Sequence, residues 1–366
     1  MKFDYIIGNP PYQENGTTNN KAQALYPFFY DSAEKIASKS ILISPARFLF
    51  NAGLTPKAWN HKMLFDEHVK VEKYFRNSSD VFPNTNITAG VAIVYHDSKQ
   101  KFEPIKLFIP DETLRSIANK VGTNDSNSMS NIMFGGRSDL KFNNLFLKDF
   151  PNTKEHILKT LQEKHPDIKE LGNGEEYEIK SSSFSRTAYA FYDEKPDDSD
   201  EYYSFLGVEK NNRVWKWAKK KYFVPRYPNH NNIDKFKVMI SKADGAAGQI
   251  GKPIPARIIG RSTIAGPNTS SVPTFISIGA FDTIEEAENV AKYIKTKFVR
   301  VLVGILKTTQ DITPGKWNYV PLQDFTSHSD IDWSKSVSEI DQQLYRKYGL
   351  NDDEINFIES HIEEMN

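Results

Sequence analysis

The chain has 366 residues, and its 47 basic residues balance 47 acidic ones, so the formal net charge is zero. It has no cysteine, which excludes disulfides and thiolate metal sites and fits a reducing compartment. The first residues carry an acid where a signal peptide needs an apolar run, and no apolar stretch approaches the roughly 18 residues of a membrane span. We therefore expect a soluble, cytoplasmic protein of two or three domains with no membrane partner.

Strand and helix patterns alternate through the first 95 residues. In chain order they are an apolar strand at 5–8, a helical spacing over 25–37, a buried strand at 41–44, a helix over 55–75 and an apolar run at 87–95. This alternation is typical of an open α/β sheet. The last run is compatible with one long edge strand.

The second half of the chain is less regular at first. A loop-like stretch at 122–131 indicates a domain boundary, and strands are predicted at 235–240 and 274–278. Thr283 and Glu286 have the spacing of a capping box, and an apolar stripe then continues to Ile305, which predicts one long helix. The last thirty residues predict two short acidic helices.

Asn9-Pro10-Pro11-Tyr12, directly after the first strand, carries the clearest chemical signal. The exocyclic amine of adenine is a poor nucleophile because its lone pair is delocalised into the ring. An asparagine side-chain carbonyl and a proline backbone carbonyl, side by side, can accept hydrogen bonds from both amine protons and favour a pyramidal nitrogen. The two prolines stiffen the turn, and Tyr12 can stack on the base.

A purely structural interpretation remains for the same residues, namely a proline-rich turn that ends a strand, with Tyr12 as ordinary packing. The position at the carboxyl end of a predicted sheet strand favours the functional interpretation, because open α/β sheets bind their ligands there.

The segment resembles the gamma class of adenine-N6 DNA methyltransferases, the TaqI-like enzymes of restriction-modification systems, which include the type IIG enzymes. The similarity extends from Asn9-Pro10-Pro11-Tyr12 to residues 43–48, to residues 77–84 and, less diagnostically, to segments between 235 and 350. The resemblance implies that Phe82 stacks on the adenine face opposite Tyr12. The alternative is that Phe82 belongs to a buried turn.

The resemblance also implies a domain organisation. We expect the C-terminal part of a Rossmann-like methyltransferase sheet, followed by an α+β target-recognition domain. The corresponding ranges are 1–110 for a partial catalytic domain, 111–135 for a linker, 136–330 for the DNA target-recognition domain and 331–366 for the acidic helices.

In this class the strand, glycine turn and acid that hold S-adenosyl-L-methionine precede the Asn-Pro-Pro-Tyr strand. Eight residues cannot contain them. The resemblance therefore implies the second half of a methyltransferase, whose cofactor site is incomplete and whose cofactor-binding half is missing or lies on a partner chain.

A basic block lies within the neutral chain. Residues 210–261 hold thirteen basic and two acidic residues, a net charge of +11, whereas residues 322–366 have a net charge of −8. Such a block is typical of a polyanion-binding surface, here double-stranded DNA. The candidate contacts are Arg213, Lys216, Lys219, Lys220, Lys221, Arg226, Arg257 and Arg261. The alternative for the lysine run is a solvated amphipathic helix.

The leading hypothesis is thus a site-specific adenine-N6 DNA methyltransferase component of a restriction-modification system. The alternative is a non-catalytic DNA-recognition subunit with a vestigial catalytic strand. Methylation of RNA or of protein glutamine shares the tetrapeptide, but the long basic C-terminal region argues against it. The eight histidines have no metal-ligand spacing, so no metal site is expected.

Overall fold

The computed structural model describes the chain with interruptions. The described residues are 3–13, 23–50, 55–163, 165–227, 232–245, 250, 254–307 and 310–365. They divide into two compact units, Met1–Glu112 (unit 1) and Thr113–Asn366 (unit 2).

The described part of the chain is a mixed α/β protein. Its strands are β1 Phe3–Gly8, β2 Ala37–Pro45, β3 Val69–Phe75, β4 Val91–Asp97, β5 Met133–Phe134, β6 Leu140–Phe142, β7 Tyr202–Glu209, β8 Asn212–Lys219, β9 Phe223–Pro225, β10 Phe236–Ser241, β11 Ser262–Ala265, β12 Thr269–Ser271 and β13 Phe275–Phe281. Its helices are α1 Tyr26–Ile36, α2 Lys57–Phe65, α3 Glu112–Val121, α4 Asn144–Asp149, α5 Thr153–Gln162, α6 Ser183–Arg186, α7 Ile284–Lys295, α8 Lys297–Leu306, α9 Val337–Lys347 and α10 Asp352–His361.

Unit 1 contains a sheet with the strand order β1-β2-β4-β3 among the described residues. β1 runs parallel to β2, and β4 runs antiparallel to both β2 and β3. The core contains aromatic side chains of α1, of the turn after β2 and of α2, with Phe48 in contact with Tyr30 and Trp59. Because β1 and β2 are parallel, their carboxyl ends meet at one end of the sheet.

Two secondary-structure predictions for unit 1, one helix and one strand, need correction. The single helix predicted over 55–75 is wrong for its second half, where Val69 and Val71 alternate with charged residues and form β3. The long edge strand predicted at 87–95 is also wrong. Gly90, with φ of +72°, makes a turn before β4, and β4 then lies inside the sheet between β2 and β3.

Unit 2 contains three separate sheets in its described residues. The strand orders are β11-β10-β13-β5, β12-β7-β8 and β6-β9. The expected α/β class is confirmed for the described chain as a mixture of helices and several sheets. The Rossmann-like assignment and the four-part division stay predictions, although α3 occupies part of the range predicted as a linker.

The helix predicted from Thr283 begins with the expected capping box, in which Thr283 and Glu286 hydrogen-bond reciprocally. It does not continue to Ile305 as one helix. Thr296 adopts an extended backbone, and its hydroxyl accepts a hydrogen bond from the Val299 amide, so α8 starts anew. The two helices predicted at the C-terminal end are present as α9 and α10. Only α10 is acidic, because α9 has two acidic and two basic residues. Among the described residues, no helix is long and apolar enough to cross a membrane.

Candidate active site

Asn9 to Tyr12 follow β1 at the end of the sheet where β2 also ends. Gly8, the last residue of β1, pairs with Leu42 of β2. Asn9 is exposed, whereas Pro10 is buried, so the turn is anchored by its first proline and its asparagine side chain is accessible to a ligand. The backbone of the turn is therefore held in place while the Asn9 amide can meet solvent or a ligand.

Tyr12 lies against a cleft of about 330 Å³. Its backbone carbonyl accepts a hydrogen bond of 3.1 Å from the Leu25 amide, and Gln13 pairs with Ala24, which joins the turn to the segment before α1. The phenol oxygen is buried and has no hydrogen-bond partner among the described residues, and burial raises the pKa of Tyr12. The described lining comprises Tyr12, Gln13, Ala24, Tyr26, Pro45, Arg47, Asn86 and Ile87.

Phe82 is adjacent to Tyr12. The two ring centroids are 6.5 Å apart, with planes inclined at 66° in an edge-to-face contact. The loop that carries Phe82 is tied by Ser78, whose hydroxyl donates to the Thr85 carbonyl at 3.0 Å and accepts from the Ile87 amide at 2.8 Å. Thr85 donates in turn to the Phe82 carbonyl at 2.7 Å.

Ser78 and Thr85 hold the Phe82 loop together, a role that no spacing in the sequence indicates. Ser78 is buried, and its hydroxyl joins residues seven and nine positions away in the chain. The signal in the sequence was the Ser and Thr content of a loop between two strands, because such side chains often bond to nearby backbone groups. That signal indicates a turn and does not specify which aromatic residue the turn holds.

Arg47 contributes a cation to the cleft. Its Nε donates a hydrogen bond of 3.1 Å to the Thr88 carbonyl, and the preceding Ala46 amide donates to the Gly90 carbonyl at 3.0 Å. The turn after β2 is thereby joined to the turn before β4. Burial raises the pKa of the neighbouring Tyr26 to about 12, and the positive charge of Arg47 partly opposes that shift.

The described lining of the cleft does not contain the residues expected to hold a methyl donor. None of these described lining residues is Asp or Glu, the residue types that could bind a ribose.

The strand β1 is an edge strand of the described sheet. Its side chains Phe3, Tyr5 and Ile7 are 49%, 66% and 80% exposed. A parallel strand with so much exposed apolar surface is unusual, because parallel pairs are normally covered on both faces.

The lysine run of the basic block forms a strand and a turn, not the amphipathic helix considered as an alternative. Lys216 and Lys219 lie in β8, and Lys220 and Lys221 follow in a 3₁₀ turn. Acidic residues from outside the block pair with them. The contacts are Lys216 with Asp193 and Glu209, Lys219 with Asp198 and Asp200, Lys220 with Glu201, and Lys221 with Asp200.

The four arginines differ in their environments. Arg226 is largely buried and forms a bidentate pair with Glu178, at 3.1 and 2.7 Å. Arg213 donates to Thr263 and Ser241, and desolvation lowers its pKa. Arg257 is exposed and pairs with Asp244, and Arg261 is exposed. Much of the +11 charge is therefore balanced locally, and DNA contact by all eight residues stays a prediction.

Comparison with known proteins bears on unit 1. Residues 1–82 match the model of the Eco57I restriction-modification methylase family. This is similarity to a methylase. An "Uncharacterized adenine-specific methylase" of Mycoplasma pneumoniae (strain ATCC 29342 / M129 / Subtype 1) is 34% identical over 95 residues, which cover 25% of this chain and 22% of that protein. The chain thus aligns with about a fifth of the relative's length, and the expected resemblance to restriction-modification methylases is confirmed for the N-terminal part.

Proposed function

We propose that this chain is a component of a site-specific adenine-N6 DNA methyltransferase of the TaqI-like gamma class. The observation that carries the proposal is the position of Asn9 to Tyr12 at the shared end of β1 and β2, with Phe82 beside Tyr12 and a cleft next to both. The similarity of residues 1–82 to restriction-modification methylases supports the same conclusion.

In the proposed reaction a target adenine leaves the duplex and enters the cleft. The Asn9 amide oxygen and the Pro10 carbonyl accept hydrogen bonds from the two N6 protons, so that the nitrogen lone pair becomes available for attack. One proton leaves to solvent after the methyl group has been transferred, so no general base is assigned. Tyr12 stacks on the base. Stacking by Phe82 on the opposite face requires one ring to turn, because the planes are now inclined at 66°.

Two substitutions at Tyr12 separate its ring from its hydroxyl. Because the hydroxyl is buried without a described partner, we expect Tyr12→Phe to retain methylation within about threefold. Tyr12→Ala removes a stacking contact of about 1–3 kcal/mol and should reduce kcat/KM by roughly 5- to 150-fold. Steady-state methylation assays on the complete enzyme measure both. Equal losses in the two variants would rule out stacking as the role of Tyr12.

We further propose that the methyl donor is S-adenosyl-L-methionine and that another segment, on this polypeptide or on a partner chain, completes its site. The support is that β1 is an edge strand among the described residues, with Tyr5 and Ile7 exposed. An unpaired strand edge offers backbone donors and acceptors to an added strand, and its apolar side chains offer surface to bury.

The isolated 366-residue chain should therefore bind S-adenosylmethionine weakly or not at all. Isothermal titration calorimetry measures this directly, and tight binding would refute the incomplete site. In the complete enzyme, Ile7→Lys should weaken assembly by more than about tenfold, because it places a charge in apolar surface. Phe65→Lys, a matched change of another exposed apolar residue of unit 1, should leave assembly unchanged.

We propose that unit 2 binds DNA through the exposed cations of the basic block. Arg261 and Arg226 make a matched pair, because Arg261 is exposed whereas Arg226 is bound to Glu178. We expect Arg261→Ala to lower DNA affinity and to reduce the slope of log affinity against log salt by about 1, without loss of stability. Arg226→Ala should instead lower the free energy of unfolding by about 3 kcal/mol, because Glu178 loses its bidentate partner and keeps only the longer contact, 3.8 Å, with Arg137.

Fluorescence anisotropy with duplex DNA over a salt series measures the affinity and the salt slope. Urea unfolding measures the free energy of unfolding. An unchanged salt slope in Arg261→Ala would exclude this residue from the DNA interface.

A further inference from the structure

Three side chains of ligand type converge in unit 1, away from the cleft. Glu34 comes from α1, Asp66 directly follows α2, and His96 lies in β4. One donor atom of each lies within 4.8 Å of the others. His96 pairs with Ser40, near the start of β2, whereas the cleft lies where β2 ends. The cluster is therefore at the opposite end of the sheet from Asn9 to Tyr12.

Two polar atoms of this cluster are buried without a partner. His96 is 8% exposed, and its Nδ1 has no hydrogen-bond partner among the described residues. The Oε1 atom of Glu34 is likewise buried and without a described partner. Buried polar atoms are nearly always satisfied, and an exception calls for a bound water or ion. A cation between the imidazole and the two carboxylates would satisfy both atoms.

The charges around the cluster favour a divalent ion. Lys62 lies 2.6 Å from Oε2 of Glu34 and 2.9 Å from Oδ1 of Asp31, which leaves Oε1 of Glu34 for another partner. Oδ1 of Asp66 accepts a hydrogen bond from the His68 amide at 2.8 Å. Three carboxylates and one ammonium give two net negative charges, which a divalent cation neutralises.

We propose that Glu34, Asp66 and His96 bind a divalent transition-metal cation, Zn²⁺ or Mn²⁺, with water in the remaining coordination positions. An imidazole nitrogen with two carboxylate oxygens suits these ions better than Mg²⁺ or Ca²⁺, which prefer all-oxygen sites. The ligands come from three separate elements, α1, the connection from α2 to β3, and β4. The ion holds these elements together and stabilises unit 1 without taking part in methyl transfer.

The test uses the full chain without a histidine tag, treated with a chelator and then titrated with zinc chloride or manganese chloride alone. We expect binding of one equivalent and a rise in the unfolding midpoint of about 5 °C at a metal concentration of a hundred times Kd.

For bound Mn²⁺, pulsed electron paramagnetic resonance should show coupling to one imidazole nitrogen. His96→Gln should weaken binding at least tenfold and remove that coupling. His61→Gln, which alters an exposed histidine of α2, is the matched control. It should change neither the metal affinity nor the nitrogen coupling.

The absence of saturable, one-to-one binding by the native chain would overturn the proposal. Retention of full affinity and of the nitrogen coupling in His96→Gln would also overturn it. Glu34→Gln provides a second variant if His96→Gln does not fold. Its ion affinity should fall at least tenfold, and unchanged affinity would be equally contrary to the proposal.

Discussion

Replacing Asn9 with alanine should reduce kcat for adenine methylation by about 100- to 1,000-fold in the complete enzyme. The side-chain oxygen is the acceptor that favours the reactive geometry of N6, and alanine offers none. DNA affinity should remain within about twofold, because Asn9 lies in unit 1 and the basic block lies in unit 2. Single-turnover methylation and anisotropy measure the two quantities separately.

This result also distinguishes catalysis from recognition. If the first strand were a vestige within a DNA-recognition subunit, Asn9→Ala would leave the methylation rate of the whole system unchanged. Asn9→Asp is a useful companion, because it keeps an oxygen acceptor of similar size but adds a negative charge. A smaller loss of kcat in Asn9→Asp than in Asn9→Ala would identify the acceptor as the essential feature.

Gly90→Ala should lower the free energy of unfolding by about 3 kcal/mol or more. Gly90 has φ of +72°, and a Cβ there would lie 2.0 Å from the Phe75 carbonyl oxygen and 2.7 Å from that of Arg76. The backbone of β3 must therefore shift, and with it the loop that carries Phe82. Urea unfolding measures the loss, and methylation should fall together with stability.

Gly174→Ala is the control for this change. Gly174 has φ of +77°, close to that of Gly90, but a Cβ there would meet nothing within 4 Å. Gly174→Ala should therefore lower the free energy of unfolding only by the cost of placing an alanine at positive φ, about 1 kcal/mol. Equal destabilisation by the two substitutions would mean that the close approach to β3 does not constrain the turn before β4.

Local sequence patterns predicted the elements that depend on local chemistry. β1 is an apolar run that ends directly before Asn9, and the Thr283 capping box marks the start of α7. Both elements could therefore be predicted from neighbouring residues. The restart of the helix at Thr296 was not predicted. Its apolar stripe continues across the break, and what interrupts the helix is the backbone conformation of one threonine.

Features that join distant parts of the chain were not predictable in the same way. Glu178 neutralises Arg226 across 48 residues, so counting charges within a window overestimated the free charge of the basic block. The cluster of Glu34, Asp66 and His96 likewise has no short spacing to recognise. In contrast, the proximity of Tyr12 and Phe82 was implied by the family resemblance, which carries long-range information that spacing lacks.

The most direct test of the proposed function is to identify the methylated product. The complete enzyme is incubated with duplex DNA and S-adenosylmethionine carrying a labelled methyl group, and the DNA is then digested to nucleosides and analysed by mass spectrometry. We predict label in N6-methyladenine, and its loss in Asn9→Ala. Label in a methylated cytosine, or none in DNA while RNA or protein becomes labelled, would contradict the proposal.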